Sequence, residues 1–305
     1  MSEQVTAYPD ESVRSLRQLI EWAADRLQAA GVYFGHGTDN AWSEAEFLVL
    51  RSLHLPFAVS DQELDLPLDV ARIQHAVAVI QARIVTRKPA AYLLGEAWFA
   101  GLRFYVNEHV LVPRSPIAEL ILERFAPWCR EDSVKRILDI GTGSGCIAIA
   151  CALAFPAAVV DAIDVSPEAL VVARENVEVH GVQGRVELIR SDLFQKLEGR
   201  QYDLIIANPP YVDAEDFAAM PAEYRHEPAI GLRAGKDGLD IVRCILNAAG
   251  THLSENGVLV VEVGNSETAL NEQYPQVQFL WLEPEQGGAG VFLLTRQELN
   301  QFFPA

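Results

Sequence analysis

Basic residues and cysteines are scarce in this 305-residue chain, and each shortage argues against a class of protein. The four cysteines stand at positions 129, 146, 151 and 244, and no two of them form a C-x-x-C pair. No histidine lies at ligand spacing from them, and no H-E-x-x-H segment occurs. We therefore expect reduced thiols and no metal site, and neither a disulfide framework nor a protease-type zinc site has support.

Lysine and arginine number 24 against 42 aspartates and glutamates, which leaves a formal net charge of −18. Proteins that hold nucleic acid by its phosphates are usually basic. We therefore expect no direct nucleic-acid partner. An acidic surface suits a basic protein partner, although solubility alone explains such acidity equally well.

One uncharged run covers residues 141–160, which is long enough for a membrane span. Three glycines and Pro156 interrupt it, so a glycine loop, a buried helix and the next strand explain it better. The polar, acidic start MSEQVTAYPDES has no apolar core, and we expect no secretion signal. Half of the residues are apolar, which is ample for a hydrophobic core. With neither a membrane span nor a secretion signal expected, we predict a cytoplasmic protein without a membrane partner.

The first part of the chain has helical periodicity. Ser12 is suited to cap a first helix that ends at Gly31, and Asp39 or Asn40 is suited to cap a second. A third helix follows Pro67, with apolar residues at strict helical spacing. These patterns predict a small helical bundle.

Two runs of aromatic and β-branched residues come next, with Ala100 and Gly101 between them, and Pro113 and Pro116 end the second run. This pattern is typical of a β-hairpin. The predicted organisation is an N-terminal helical domain over residues 1–89, a hairpin linker over 90–113 and a larger domain over 114–305.

The larger domain alternates strand-like and helical segments. Helical runs are expected between the first five strands, and Ser166 is suited to cap one of these helices. Such alternation predicts a mostly parallel α/β sheet with helices on both faces. The seven predicted strands cover residues 136–140, 159–165, 186–191, 202–207, 257–263, 277–282 and 290–295.

Three glycines, Gly141, Gly143 and Gly145, stand between the first strand and the helix after it. Glycines here permit a tight turn and let a ligand approach the backbone. The third glycine is one position too early for the dinucleotide fingerprint G-x-G-x-x-G, which disfavours a nicotinamide cofactor. The segment DIGTGSG matches instead the D/E-x-G-x-G-x-G loop of S-adenosylmethionine-dependent methyltransferases. A purely structural turn is the alternative.

Acidic residues follow the second and third strands. Asp164 closes the second strand, where a carboxylate can accept hydrogen bonds from both ribose hydroxyls. Its alternative role is a helix cap, which Ser166 already fills. Asp192 ends the third strand and is predicted to lie near an adenine, with Leu193 or Phe194 packing on the ring.

The fourth strand ends in Asn208, Pro209, Pro210 and Tyr211. A planar R–NH₂ group can be methylated once its nitrogen lone pair faces the methyl donor. The Asn208 side-chain oxygen and the Pro209 carbonyl are suited to accept its two hydrogens, the prolines remove competing donors, and Tyr211 offers a flat face. The alternative is a proline-rich strand exit that only starts a loop.

In this order, DIGTGSG, Asp164 and NPPY resemble the amino-methyltransferases with an N/D-P-P-Y/F motif. The whole chain resembles the protein-(glutamine-N5) methyltransferases, through LVPRSPIAELI (111–121) and HEPAIGLRAGKDGLDIV (226–242) as well. One branch of that family methylates the GGQ glutamine of release factors, and another a glutamine of the third protein of the large ribosomal subunit. The segment YFGHGTDNAWSEA (33–45) resembles a signature of the ribosomal-protein branch.

The resemblance implies a class I methyltransferase with a seven-stranded Rossmann-like sheet, an N-terminal helical domain for substrate recognition and a hairpin linker. It implies a cytoplasmic enzyme that methylates a glutamine of the ribosomal protein, with S-adenosyl-L-homocysteine as the second product. Around His36 it suggests a substrate-recognition loop, with a flexible inter-helix turn as the alternative, and it leaves Glu262 and Asn265 either near the site or in a capped loop. The implied cofactor-binding residues are Gly141, Thr142, Gly143, Ser144, Gly145, Asp164, Asp192, Leu193 and Asn208, and the implied catalytic residues are Asn208, Pro209, Pro210 and Tyr211.

Three other functions are compatible with parts of the sequence. NPPY suits the exocyclic amine of a nucleic-acid base equally well, although the net charge of −18 counts against it. Methylation of release factors needs the same chemistry on another protein. A module that only binds the cofactor and a partner has no evident need of two amide acceptors. Neither the oligomeric state nor the position of the target glutamine follows from the sequence.

Overall fold

The structure is a computed structural model that describes residues 9, 12–285 and 287–304. The chain forms two compact units. The first contains the residues up to Glu96 together with Pro221–His226, and the second contains Ala97–Met220 and the residues from Glu227 on. Nothing in the sequence pattern indicated that Pro221–His226 belongs to the first unit. The domain boundaries after residues 89 and 113 stay predictions.

The first unit is helical, as the periodicity predicts, and its apolar helix faces form one buried core. The first helix begins later than expected, because the cap is Ser15 and not Ser12. Ser15 accepts a hydrogen bond from the backbone of Gln18, whose side chain accepts one from Ser15 in return, and this capping box outcompetes the earlier serine. Asn40 caps the second helix, as predicted. The helices of this unit are α1 Leu16–Ala29, α2 Ala41–Ser52, α3 Asp61–Leu64, α4 Val70–Thr86 and α5 Ala90–Leu94.

The predicted hairpin is present as a separate two-stranded sheet of β1 Glu96–Phe99 and β2 Leu102–Tyr105. Its turn residues Ala100 and Gly101 both have positive φ, at 49° and 75°. Such dihedral angles match the twist of two-residue hairpin turns, which explains why glycine stands at the second position.

The second unit is built on a sheet of seven strands in the order β5-β4-β3-β6-β7-β9-β8. Strands β3 to β7 are parallel, and β9 pairs antiparallel with both β7 and β8. The predicted seven strands and the mostly parallel sheet are confirmed. The strands are β3 Arg136–Ile140, β4 Val159–Asp164, β5 Val186–Arg190, β6 Tyr202–Ala207, β7 Leu253–Glu262, β8 Leu280–Leu282 and β9 Val291–Thr295.

Most of the expected helices lie between these strands, with one exception. β5 and β6 are joined by a 3₁₀ turn, Leu193–Lys196, so the helical run predicted there is wrong. Only 11 residues separate the two strands, which leaves no room for a helix of ordinary length. The helices are α6 Ile117–Leu122, α7 Cys146–Ala154, α8 Pro167–Val179, α9 Ala214–Ala219, α10 Asp240–His252, α11 Glu267–Gln273 and α12 Arg296–Phe302.

The uncharged run divides as expected into the glycine loop, the nine-residue helix α7 and the start of β4. Its apolarity reflects burial, because the central residues of α7 are buried and the inner strands are covered on both faces. Across the described part of the chain, no helix combines the length and apolarity that crossing a membrane requires.

Candidate active site

Strand register brings the predicted site residues to one edge of the sheet. Ile140 of β3 pairs with Ile163 of β4 on one side and with Ala207 of β6 on the other. Gly141, Asp164 and Asn208 each come directly after one of these three paired residues, so they lie side by side at the carboxyl ends of three neighbouring strands. The chain leaves β3 towards β4 and returns through β6, so this edge is the switch point where open α/β sheets bind ligands.

The glycine loop needs its glycines for two different reasons. Gly141, Gly143 and Gly145 all have positive φ, at 71°, 53° and 81°. A Cβ atom on Gly141 would meet nothing within 4 Å, whereas one on Gly145 would lie 3.3 Å from the Cβ of Ala173 on α8. The first two glycines thus leave open space over the backbone, and the third allows α8 to pack closely.

Asp164 organises this loop. Its Oδ2 accepts a hydrogen bond from the Gly143 N–H at 2.9 Å, and its Oδ1 accepts one from the Ser166 N–H at 2.9 Å. Burial raises the pKa of Asp164, although these two bonds oppose the shift. Ser166 is the cap of α8, as predicted. A carboxylate has about four lone-pair sites, so Asp164 retains acceptors for a ligand.

Asp139 was not among the predicted site residues. Its Oδ2 accepts hydrogen bonds from the Thr142 hydroxyl at 2.6 Å and from the Ala148 N–H at 3.1 Å. Its Oδ1 is buried and has no hydrogen-bond partner among the described residues. Burial raises the pKa of Asp139 to about 7. Asp139 is the acidic residue that opens the D/E-x-G-x-G-x-G pattern, so the sequence contained a signal for it. The pattern does not show that one of its carboxylate oxygens lacks a hydrogen-bond donor.

The segment after β5 fits the predicted adenine contact only in part. Asp192 is exposed and accepts a hydrogen bond from the Gln195 side chain at 3.1 Å. Leu193 is half-buried, with φ at 46°. Phe194 is buried, and its ring stacks on His252 with centroids 4.6 Å apart. Phe194 already packs on His252, so Leu193 is the hydrophobic residue of this segment that is available to pack on an adenine ring.

Two acceptors after β6 are free, as the proposed amide binding requires. The side chain of Asn208 makes no hydrogen bond with any described residue, and neither does the carbonyl of Pro209. Asn208 is half-buried, and Pro209 is buried. Both are therefore suited to accept a hydrogen bond from a bound ligand.

Tyr211 is held by two residues near the end of β7, Glu262 and Ser266. Its hydroxyl donates to Glu262 Oε1 at 2.9 Å, and its carbonyl accepts a hydrogen bond from the Ser266 hydroxyl at 2.9 Å. Of the two residues left open after the fifth strand, Glu262 contacts the NPPY motif, and Asn265 is exposed. The chain continues from Tyr211 into Val212, which exchanges backbone hydrogen bonds with residues 232–234 of the HEPAIGLRAGKDGLDIV segment.

His36 does not lie in an open surface loop. Its side chain is only 4% exposed, and its ring centroid lies 4.4 Å from that of Tyr224 in the Pro221–His226 segment. Arg83, fully buried, donates to Glu44 at 2.6 Å and to the Tyr33 carbonyl at 2.9 Å. Parts of the 33–45 signature are therefore buried in the first unit, while the recognition loop and the flexible inter-helix turn both stay predictions.

The residues at this edge fit S-adenosylmethionine. The open space over Gly141 and Gly143 suits close approach of a ligand to the backbone. The partnerless Asp139 oxygen needs a donor, which an ammonium group supplies, and Asp164 is suited to hydroxyls. Among the described residues no group of three histidine, cysteine or carboxylate side chains is arranged to hold a metal ion.

Comparison with known proteins gives the family. A family model, the methyltransferase small domain, matches residues 118–223. Ribosomal protein uL3 glutamine methyltransferase of Bordetella pertussis is 49% identical over 95% of this chain and 98% of its own length. The protein of the same name from Francisella tularensis is 44% identical over 95% of this chain and 93% of its own length.

A solved structure, a methyltransferase from Pyrococcus furiosus, is 20% identical over 64% of this chain and 89% of that chain, with a TM-score of 0.47. At that score the likeness adds nothing to what the strand order shows. The chain belongs to the family of ribosomal protein uL3 glutamine methyltransferases.

Proposed function

We propose that this protein transfers the methyl group of S-adenosylmethionine to the side-chain amide nitrogen of a glutamine in ribosomal protein uL3. The names of the two relatives support the substrate. The observation that carries the chemistry is the pair of free acceptors, Asn208 Oδ1 and the Pro209 carbonyl, directly beside the glycine loop in the strand register.

We assign the cofactor to the carboxyl edge of the sheet. The backbone of Gly141, Thr142, Gly143, Ser144 and Gly145 would lie beside the cofactor, Asp164 would accept hydrogen bonds from its ribose, and Asp139 would accept from its amino-acid part. Asp192 and Leu193 would border the adenine, and Asn208 would hold the substrate amide beside the methyl donor. When bound there, the cofactor supplies an electrophilic methyl group on a sulfonium centre.

The chain's own contribution to catalysis is positioning. The two acceptors hold both amide hydrogens of the glutamine and turn its nitrogen lone pair towards the methyl group. They also stabilise the positive charge that develops on the nitrogen. Pro209 and Pro210 offer no N–H that would compete for these acceptors, and the Tyr211 ring gives the amide a flat surface. The N-protonated amide product is very acidic, so water takes its proton and a dedicated base is unnecessary.

We place recognition of the protein substrate in the N-terminal helical region, residues 1–89, and methylation in the cytoplasm before uL3 enters the subunit. Proteins that bind ribosomal RNA are expected to be basic, and a net charge of −18 suits such a partner while it is free of RNA. The same charge disfavours a nucleic-acid base as the methyl acceptor.

The test is a methyl-transfer assay with labelled S-adenosylmethionine and three substrates: free uL3, a release factor and assembled large subunits. We expect label on free uL3 alone, and peptide mass spectrometry should place the methyl group on one glutamine. Label on the GGQ glutamine of the release factor would assign the chain to that substrate instead. Equal labelling of assembled subunits would remove the proposed timing, and label on RNA would remove the protein substrate.

A further inference from the structure

The ring of Tyr211 is fixed by a hydrogen-bonded chain of three side chains. The Tyr211 hydroxyl donates to Glu262 Oε1 at 2.9 Å, and the Ser115 hydroxyl donates to Glu262 Oε2 at 2.5 Å. Glu262 is the last residue of β7 and is 5% exposed. Ser115 lies in the PRSP segment, almost 100 residues before Tyr211 in the sequence. Three segments that are distant in the sequence therefore meet at the Glu262 carboxylate.

Two glycines beside Tyr211 leave no space for a side chain. A Cβ atom on Gly264 would lie 2.6 Å from Tyr211 Cε2, so the ring packs directly on the glycine. A Cβ atom on Gly238 would lie 2.2 Å from the Tyr211 carbonyl oxygen, which also accepts the bond from Ser266. The plane of the ring is thus limited by packing, and its hydroxyl end is limited by Glu262.

Burying the Glu262 carboxylate costs free energy that a purely structural contact does not require. Burial raises the pKa of Glu262, while the hydroxyls of Ser115 and Tyr211 and the charge of Arg114 act in the opposite direction. A neutral or apolar side chain at a buried site often stabilises a fold equally well. The carboxylate takes both hydroxyls at once, one on each oxygen, and a hydrogen bond to a charged group is stronger than a neutral one.

We propose that Glu262 is a positioning residue for methyl transfer: it fixes the ring of Tyr211, on which the glutamine amide lies, and Ser115 fixes Glu262. This inference rests on the proposed function, because it assigns a role within that active site. Neither Glu262 nor Ser115 touches the substrate amide. Their effect reaches it through the orientation of the Tyr211 ring, and misplacement of the amide lowers the rate of the chemical step.

The experiment compares Tyr211→Phe, Glu262→Gln and the double variant with the wild-type enzyme on free uL3. Tyr211→Phe keeps the ring and removes only the hydroxyl. We expect each single variant to have a roughly tenfold lower kcat, the effect of losing one hydrogen bond to a charged group. KM for uL3 and the Kd of S-adenosylmethionine should stay close to wild type. The double variant should be no worse than the poorer single variant, because both changes remove the same charge-assisted hydrogen bond between Tyr211 and Glu262.

The matched control is Tyr202→Phe. Tyr202 begins β6 and donates its hydroxyl to the buried Asp161 at 2.7 Å, so it makes the same kind of bond at the opposite end of the strand that NPPY follows. We expect it to lower the melting temperature as Tyr211→Phe does, and to leave kcat unchanged. A Tyr211→Phe enzyme that loses stability but keeps its kcat would overturn the positioning role, as would additive effects in the double variant.

The wild-type enzyme in the same assay separates this inference from the proposed function. If it methylates the release factor and not uL3, the substrate assignment is wrong, and the same variants are compared on the release factor. If it methylates neither protein, both proposals are overturned together.

Discussion

At the scale of single residues, the site depends on acceptors that have no hydrogen-bond partner among the residues the structure describes. Asn208 Oδ1 and the Pro209 carbonyl face no described donor, and the buried Asp139 Oδ1 has none. Buried polar atoms in folded proteins are nearly always paired. The missing partner of Asp139 Oδ1 is therefore best explained by a ligand that supplies the donor, and the two acceptors at the same edge are open to another donor.

Asn208→Ala removes one of the two amide acceptors. We expect kcat to fall roughly 100- to 1,000-fold, which is the usual effect of deleting one group that stabilises developing charge. The Kd of S-adenosylmethionine should change much less, and calorimetric titration measures it separately from turnover. Near-wild-type turnover with intact cofactor binding would show that the amide is held in another way.

Asp139 should make cofactor binding depend on pH. Its pKa is raised to about 7 in the free protein, and a donor from the cofactor stabilises the charged form, so binding favours the deprotonated carboxyl. The affinity should therefore rise with pH up to roughly tenfold per unit between about pH 5 and pH 7, and level off above. Titrations across that range check this, and Asp139→Asn should reduce the dependence to the part that Asp164 contributes. An unchanged pH profile in that variant would exclude Asp139 as the contact.

At the scale of elements, the local signals and the packed structure agree for most strands and caps. Asn40 and Ser166 cap their helices as predicted, since a side-chain cap acts over three residues and is visible in the sequence. Ser12 was the wrong cap, because Gln18 completes a capping box with Ser15. The predicted strands are recovered to within a few residues, with the largest difference at β7, which begins at Leu253.

The Pro221–His226 segment shows what local signals miss. It is held in the first unit by Glu223, which accepts a hydrogen bond from the Tyr33 N–H at 3.1 Å and lies 3.5 Å from both Arg83 and Arg87. Its partners are more than 130 residues away in the sequence. A single sequence without covariation carries no trace of such a contact.

Arg83→Met should destabilise the first unit strongly. It would leave the buried carboxylates of Glu44 and Glu223 without their common cation, which typically costs about 3–5 kcal/mol. Urea unfolding followed by circular dichroism measures the change. Arg17→Met is the control, since its bonds to Asp61 and Asp65 are exposed and screened by water, and it should have little effect. Equal, small effects of both changes would contradict the buried network.

At the scale of the whole molecule, charge is the dominant feature. A net charge of −18 repels nucleic acid and attracts a basic protein, and such attraction acts over roughly 10 Å at 0.1 M salt. It favours encounter with free uL3 over encounter with RNA-covered subunits. The acidic chain therefore supports both the substrate class and the proposed timing.

Salt should weaken recognition of free uL3. Between about 50 mM and 300 mM NaCl we expect KM to rise several-fold, because screening shortens the range of the attraction, while kcat stays constant. Steady-state assays over that range measure both, and the Kd of the cofactor is the internal control. A KM that ignores salt would mean that shape and apolar contacts, not charge, guide recognition.

The sequence by itself determined the helical first part, the hairpin, the seven strands, the glycine loop and the NPPY motif. Each depends on side-chain periodicity, turn residues or spacing within a few positions, and these survive in a linear pattern. The resemblance to a methyltransferase family followed from the order of the motifs, and the relatives confirm that family.

Only the tertiary structure decided which groups meet across the sequence. It placed β6 beside β3 and β9 between β7 and β8, left Asp139 Oδ1 without a hydrogen-bond partner among the described residues, and joined Glu262 to Tyr211 and Ser115. Strand order and buried hydrogen bonds depend on how segments far apart in the chain pack together. Local propensity contains no information about that packing, so these features become visible only in the folded molecule.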